Sequence, residues 1–342
     1  MGKNKKYPPQ GAVIAMLGAA LVICMVGSVT LGRYPIGLRE MCGILGSRFV
    51  DVEPFWKPVQ ESLLLNHRLP RILLACMVGC CLSAAGAAYQ GVFQNPMASP
   101  DILGASAGAG FGAALAILLG ASSIGITLGA FAASLVTVAL VFTVSRHARG
   151  DRVLGLVLAG IMVSSLFQSG TSFLKLVADP NNQLPQITYW LMGSLSGAKW
   201  ADLGFVILPV LIGLIPLFLL RWQLNVITMG DDEARAMGVN APRIRLFIVI
   251  CSTLVTASAV SVSGMIGWVG LVIPHMMRRL VGSDYRFLMP ASMLGGGIFL
   301  LVVDNVSRNA SASGIPIGIL TAFIGAPFFL WLITGKGDHY EH

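Results

Sequence analysis

The sequence predicts an all-α polytopic membrane protein, a single domain over residues 1–342 with about ten transmembrane helices and both termini in the cytoplasm. Three observations predict it. Hydrophobic residues make up 55% of the chain and charged residues only 11%, where a soluble domain carries about 25% charge. The mean hydropathy is +0.78, so folding in water would leave far too much apolar surface exposed. The apolar residues also gather into runs of roughly 20 residues, the length that crosses a bilayer. Glycine is abundant, at 40 residues, as it is in membrane helices that pack closely.

Taken in order, a basic head, MGKNKK, precedes a first run at 12–32 that lacks a small-residue cleavage pattern and reads as an uncleaved helix. A long loop with a basic cluster (His67, Arg68, Arg71) leads into a second crossing at 71–92, rich in small residues. That helix stops at a polar, Pro-broken turn, Gln94-Asn95-Pro96-Met97-Ala98-Ser99-Pro100-Asp101. The third crossing, 101–120, has Gly104, Gly108 and Gly112 one turn apart, which lets helix backbones approach. Crossings at 123–145 and 153–176 follow, separated by Arg146, Arg149 and Arg152. The loop 179–202 places Tyr189, Trp190 and Trp200 where headgroups would lie and predicts a short interfacial helix. The remaining crossings fall at 203–220, 245–262, 264–281, 287–308 and 315–334. The eighth crossing of the ten, 264–281, is short and holds Pro274. An even number returns the chain to its starting side. Lys3, Lys5, Lys6, the three arginines at 146–152, Arg221, Arg235, Arg243, Arg245, Arg278, Arg279, Arg286 and Lys336 share that side. Outside the first long loop only Lys175, Lys199 and Arg308 face the other, so the termini are cytoplasmic.

The net charge of +8 is scattered between apolar runs and does not make a nucleic-acid surface. Six cysteines form no CxxC pair, and Cys76 and Cys80, four apart, read as packing residues. The bilayer interior holds no obvious driving group: the central part of every crossing lacks Asp, Glu, Lys and Arg. Asp304 and Arg308, near a membrane end, have the i,i+4 spacing that lets them pair. No GxxxxGK[ST] occurs, Gly335-Lys336-Gly337 lacks its context, and Leu195-Ser196-Gly197-Ala198 lies on an external loop. Energy must then come from a separate chain, and this one catalyses no covalent chemistry and holds no cofactor. Its best dock is the loop Met229–Asn240. Asp231, Asp232 and Glu233 favour a helix N-terminus there, and Gly238 or Asn240 can end the helix. In the fifth crossing Ser164, Gln168 and Ser172 share a face, suited to a polar path or to hydrogen bonds within the bundle. His275, after Pro274, reads as packed at a kink.

The stretch RLPR followed by AAGAAYQGVFQNPMASPDILGASAGAG resembles the hallmark region of the FecCD permease family. SGMIGWVGLVIPHMMRRLVGSDYRFLMP, VVDNVSR and GIPIGILTAFIGAPFFLWLI are similar to its second block. The resemblance implies the type II permease fold of ATP-driven importers for iron–siderophores, haem, cobalamin and, in some members, oxyanions. It implies a homodimer with the path between two copies, two cytoplasmic ATPase subunits carrying ATP and magnesium, an extracytoplasmic substrate-binding protein, and a bacterial or archaeal cell (inner) membrane. Glu233, Ala234 and Gly238 match the coupling helix seated on the ATPase, flanked here by Asp231, Asp232 and Arg235. Arg68, Arg71 and Arg308 match positions that pair with glutamates of the binding protein. The rival from another class is an ion-gradient-driven carrier of about ten helices, which the missing midplane charges oppose. A membrane enzyme would need a His, Asp or Glu constellation that the sequence does not display.

Overall fold

The computed structural model describes residues 9–32, 34–50, 53–147, 152–311 and 314–334. Lys3, Lys5, Lys6, Arg33, Arg149 and Lys336 lie outside the described residues. Among those described, every regular element is helical. In order these are α1 (Gln10–Thr30), α2 (Leu38–Gly46) and α3 (Pro58–Leu63), which continues through a π turn (Leu64–Arg68) into α4 (Leu69–Val92). Then come α5 (Ala105–Leu118), α6 (Ser123–Ser145), α7 (Arg152–Val177), α8 (Gln183–Leu191), α9 (Trp200–Leu219) and α10 (Arg221–Ile227). The chain closes with α11 (Asp231–Ala236), α12 (Ala241–Ser263), α13 (Val269–Val281), α14 (Tyr285–Ala310) and α15 (Ile317–Thr334).

Seven helical segments are long and apolar enough to cross a bilayer: α1, the continuous α3–α4, α6, α7, α9, α12 and α14. Two expected crossings are cut short. The segment at 101–120 gives its start to a 3₁₀ turn, Pro100–Leu103, and to Gly104 in the left-handed conformation (φ 76°), leaving the 14 residues of α5. The segment at 264–281 begins with non-helical backbone, with Gly264 at φ 69° and Trp268 at φ 72°, leaving the 13 residues of α13. At 1.5 Å per residue each reaches only about 20 Å, short of a hydrocarbon core of about 30 Å. The basic cluster at 67–71 lies within the α3–α4 helix rather than ahead of it. A helix does form in the 179–202 loop, at α8.

The inner layer is α4, α12 and α14, and small residues make it possible. A Cβ on Gly79 would collide with the backbone of Gly296, and one on Gly86 with that of Gly270. These contacts press α4 against α14 and α13 at backbone distance. The outer helices α1, α6, α7 and α9 keep apolar side chains such as Ile23, Leu166 and Leu208 on the surface, the face a bilayer covers.

Side-chain bonds sort the loops into two ends. At one, the Gln10 side chain donates to the Val281 carbonyl (2.8 Å), Gln94 donates to Ile227 (2.9 Å), and Asn225 donates to the Asp284 carboxylate (2.7 Å). At the other, the last turn of α1 meets α4 and α14 through the arginines described below. Between these ends the chain re-enters. After the turn at 94–97, Pro100 packs beside Gly270, where a Cβ would meet both the Pro100 ring and the Leu82 carbonyl. Leu82 lies about 15 Å along α4 from its last residue, Val92. Asp101, expected at the membrane edge of its crossing, therefore sits well inside the bundle.

Candidate functional site

Three places in this framework hold the side chains that the sequence singles out. The first is α11 with its flanks, at the end that holds Gln94 and Asp284. Gly230, at φ 130°, turns the chain into α11, and Gly238, at φ 77°, turns it out. The helix has six residues, about two turns. Ala234 is its only fully buried side chain, and the Ala234 carbonyl accepts the Val239 amide (2.8 Å). Asp231, Asp232, Glu233, Arg235 and Gly238 are all exposed, as are Met229 and Met237. Asp231 pairs with Arg245 of α12 (2.8 Å), which holds its carboxyl below the usual range. Beside it, Arg286 holds the Asp284 carboxyl down to about 2, while Asn225 bridges Asp284 and the Tyr285 amide. The product is a short, mostly anionic projection on a firm base.

The second place is the opposite end. Arg68 is 5% exposed, and its guanidinium donates to the Val29 and Tyr34 carbonyls. Arg308 donates to the Ser28 carbonyl (2.6 Å) and to the Asn305 side chain. Two cations from other helices thus satisfy carbonyls around the C-terminus of α1, where the helix dipole favours positive charge. The expected Asp304–Arg308 pair does not form. Asp304, fully buried, instead receives Arg71, with Nη2 at 2.8 Å and Nε at 2.9 and 3.1 Å from the two carboxylate oxygens. The i,i+4 spacing made Arg308 a neighbour, but the unsatisfied α1 carbonyls claimed its guanidinium. The three arginines are brought together, as partners of the bundle first. Arg48 is a further exposed cation at this end that the sequence left unmarked, with 60% of its side chain exposed and paired loosely with Glu61 (3.4 Å).

The third place is a groove of about 520 Å³ beside α7. Ser164, Gln168 and Ser172 line it together, as their spacing implies, with Thr171 and Lys175 from the same helix. Asp101 and Ser106 line it from the start of α5, and Met265–Gly267 from the break before α13. The Ser164 and Ser172 hydroxyls also donate to carbonyls four residues back (2.6 and 3.0 Å), leaving their lone pairs for a visitor. Asp101 and Lys175 were not singled out as lining residues. Their signal is tertiary: two interrupted helices meet α7 here.

Residues 20–335 match the model of the FecCD transport family. The chain is 40% identical over 309 residues to the molybdate import system permease protein MolB of Haemophilus influenzae, covering 90% of this chain and 91% of that one. It is 37% identical to the hemin transport system permease protein HmuU of Yersinia pestis, covering 98% of each. A solved structure described as an inward-facing conformation of a metal-chelate type ABC transporter superposes with a TM-score of 0.85. It is 38% identical and covers 94% of this chain and 99% of that one.

Proposed function

The chain belongs to the FecCD transport family, and on that premise we propose that it is the membrane subunit through which an ATP-driven importer moves a metal chelate into the cytoplasm. The observation that carries the proposal is α11. A six-residue helix with exposed Asp231, Asp232, Glu233 and Arg235, anchored by Ala234 and the Asp231–Arg245 pair, is a lever for a cytoplasmic ATPase. ATP and magnesium belong to that partner. In this reading the α11 end faces the cytoplasm together with both chain termini, and the ten segments, including the half-length α5 and α13, form one bundle in the cell membrane. Two copies enclose the path, each contributing Ser164, Gln168 and Ser172. A substrate-binding protein meets the Arg71 and Arg308 end from outside, with Arg68 supporting that surface from beneath. Arg48 supplies exposed charge that steers encounter.

The test is uptake into proteoliposomes holding the chain with its ATPase and binding protein, offered iron as ferric chelates and as haem. Accumulation should require ATP on the α11 side. Sustained accumulation by the chain alone, driven by an ion gradient without nucleotide, would establish the carrier instead.

A further inference from the structure

The groove beside α7 contains a carboxylate that the rest of the bundle does not neutralise. Asp304, Asp231, Asp284 and Glu61 each pair with an arginine, whereas Asp101 has one side-chain partner among the described residues, the Ser106 hydroxyl. Ser106 donates to Oδ1, and Oδ2 accepts no hydrogen bond among the described residues. The side chain is exposed to the groove, and its backbone lies inside the bundle because Pro100 packs beside Gly270. A lone ionisable group at that depth is costly to keep and marks a functional place. It stands at the N-terminus of α5, where the helix dipole supports negative charge without a cation. The groove's other charged side chain, Lys175, is eleven positions beyond Ser164 on α7, about 16 Å away at 1.5 Å per residue. Lys175 thus lies about three turns along α7 from Ser164, the residue that stands beside Gly104 at the Asp101 end of the groove.

We propose that Asp101 sets the charge class of the cargo: its carboxylate admits cationic or neutral metal chelates along the Ser164–Ser172 face and turns back small oxyanions. This deepens the permease reading and rests on it. It separates this chain's cargo from molybdate, the anion named for one of its relatives. The hydroxyl and amide groups beside Asp101 complete a surface for a polar, hydrogen-bonding chelate, since Gln168 offers both donor and acceptor.

The experiment reads the groove's potential directly. Ser164→Cys is introduced into the full chain carrying Cys42→Ser, which removes the one exposed native thiol among the described residues. Membranes are then treated with a cationic trimethylammonium-ethyl or an anionic sulfonatoethyl methanethiosulfonate. Relative to a free thiol, the cationic reagent should be favoured. Asp101→Asn should lower the cation-to-anion rate ratio about tenfold, the scale of one unit charge at this range in a partly wet cleft. Asp101→Glu, which keeps the charge, should preserve the ratio. A ratio unchanged in Asp101→Asn, or a thiol that neither reagent reaches, would overturn the assignment. No nucleotide or binding protein enters the measurement, so failure of ATP-driven uptake would sink the permease reading while leaving this result intact.

Discussion

Arg71 shows how a residue can satisfy a sequence motif and still have a first duty elsewhere. Its guanidinium grips the buried Asp304 with two nitrogens, and removing one partner of such a pair strands the other charge. Arg71→Ala should therefore destabilise the detergent-solubilised protein by about 3–5 kcal/mol, seen as a lower thermal midpoint. Asp304→Asn in the same chain should recover part of the loss. An unchanged midpoint in Arg71→Ala would show that Asp304 is hydrated or neutral. Because Arg68 donates to Val29 and Tyr34, reversing its charge would loosen α1 before it reported on any binding protein. The residue pattern announced that arginines matter here. Which oxygen each one meets depends on where α1 ends, and no spacing within α4 or α14 encodes that.

At the scale of elements, α11 was legible because its signals are local: three acidic residues open it, Ala234 turns inward, and Gly238 lets it stop. Glu233→Lys, or deletion of 231–238, should abolish co-purification with the ATPase while leaving membrane insertion unchanged. A complex recovered intact would remove α11 from the coupling role. The half-helix α5 was not legible, and for α13 the sequence showed only a short run holding Pro274. Hydropathy sums over 101–120 and 264–281 without registering that Pro100–Leu103 is a tight turn or that Gly264–Trp268 is non-helical. Those breaks persist because they lock into each other's neighbourhood, with Pro100 against Gly270 and Gly86 against the same backbone. An apolar count is blind to such a junction.

For the molecule as a whole, the two ends define a topology that labelling can check. Cys42, exposed in α2 on the Arg68 end, should react in intact cells with a membrane-impermeant thiol reagent. Met237→Cys, exposed beyond α11, should react only after the membrane is opened. Labelling of both from outside would break the alternation of crossings. The exposed apolar faces of α1, α6, α7 and α9 fit the same picture, since a bilayer replaces the water that would otherwise disfavour them.

Composition and hydropathy by themselves determined that this is a helical membrane bundle, and the motifs determined its family. Both are properties of residue type and short-range order, and lipid as solvent enforces them through the need to satisfy every backbone polar group internally. Only the tertiary structure decided that Arg71 rather than Arg308 neutralises Asp304, and that Asp101 reaches the interior groove beside Ser164 and Gln168. Those outcomes turn on close approach between distant glycines and on competition for unsatisfied carbonyls. Such contests are settled when helices meet, and the order of residues within any one helix does not reveal the winner.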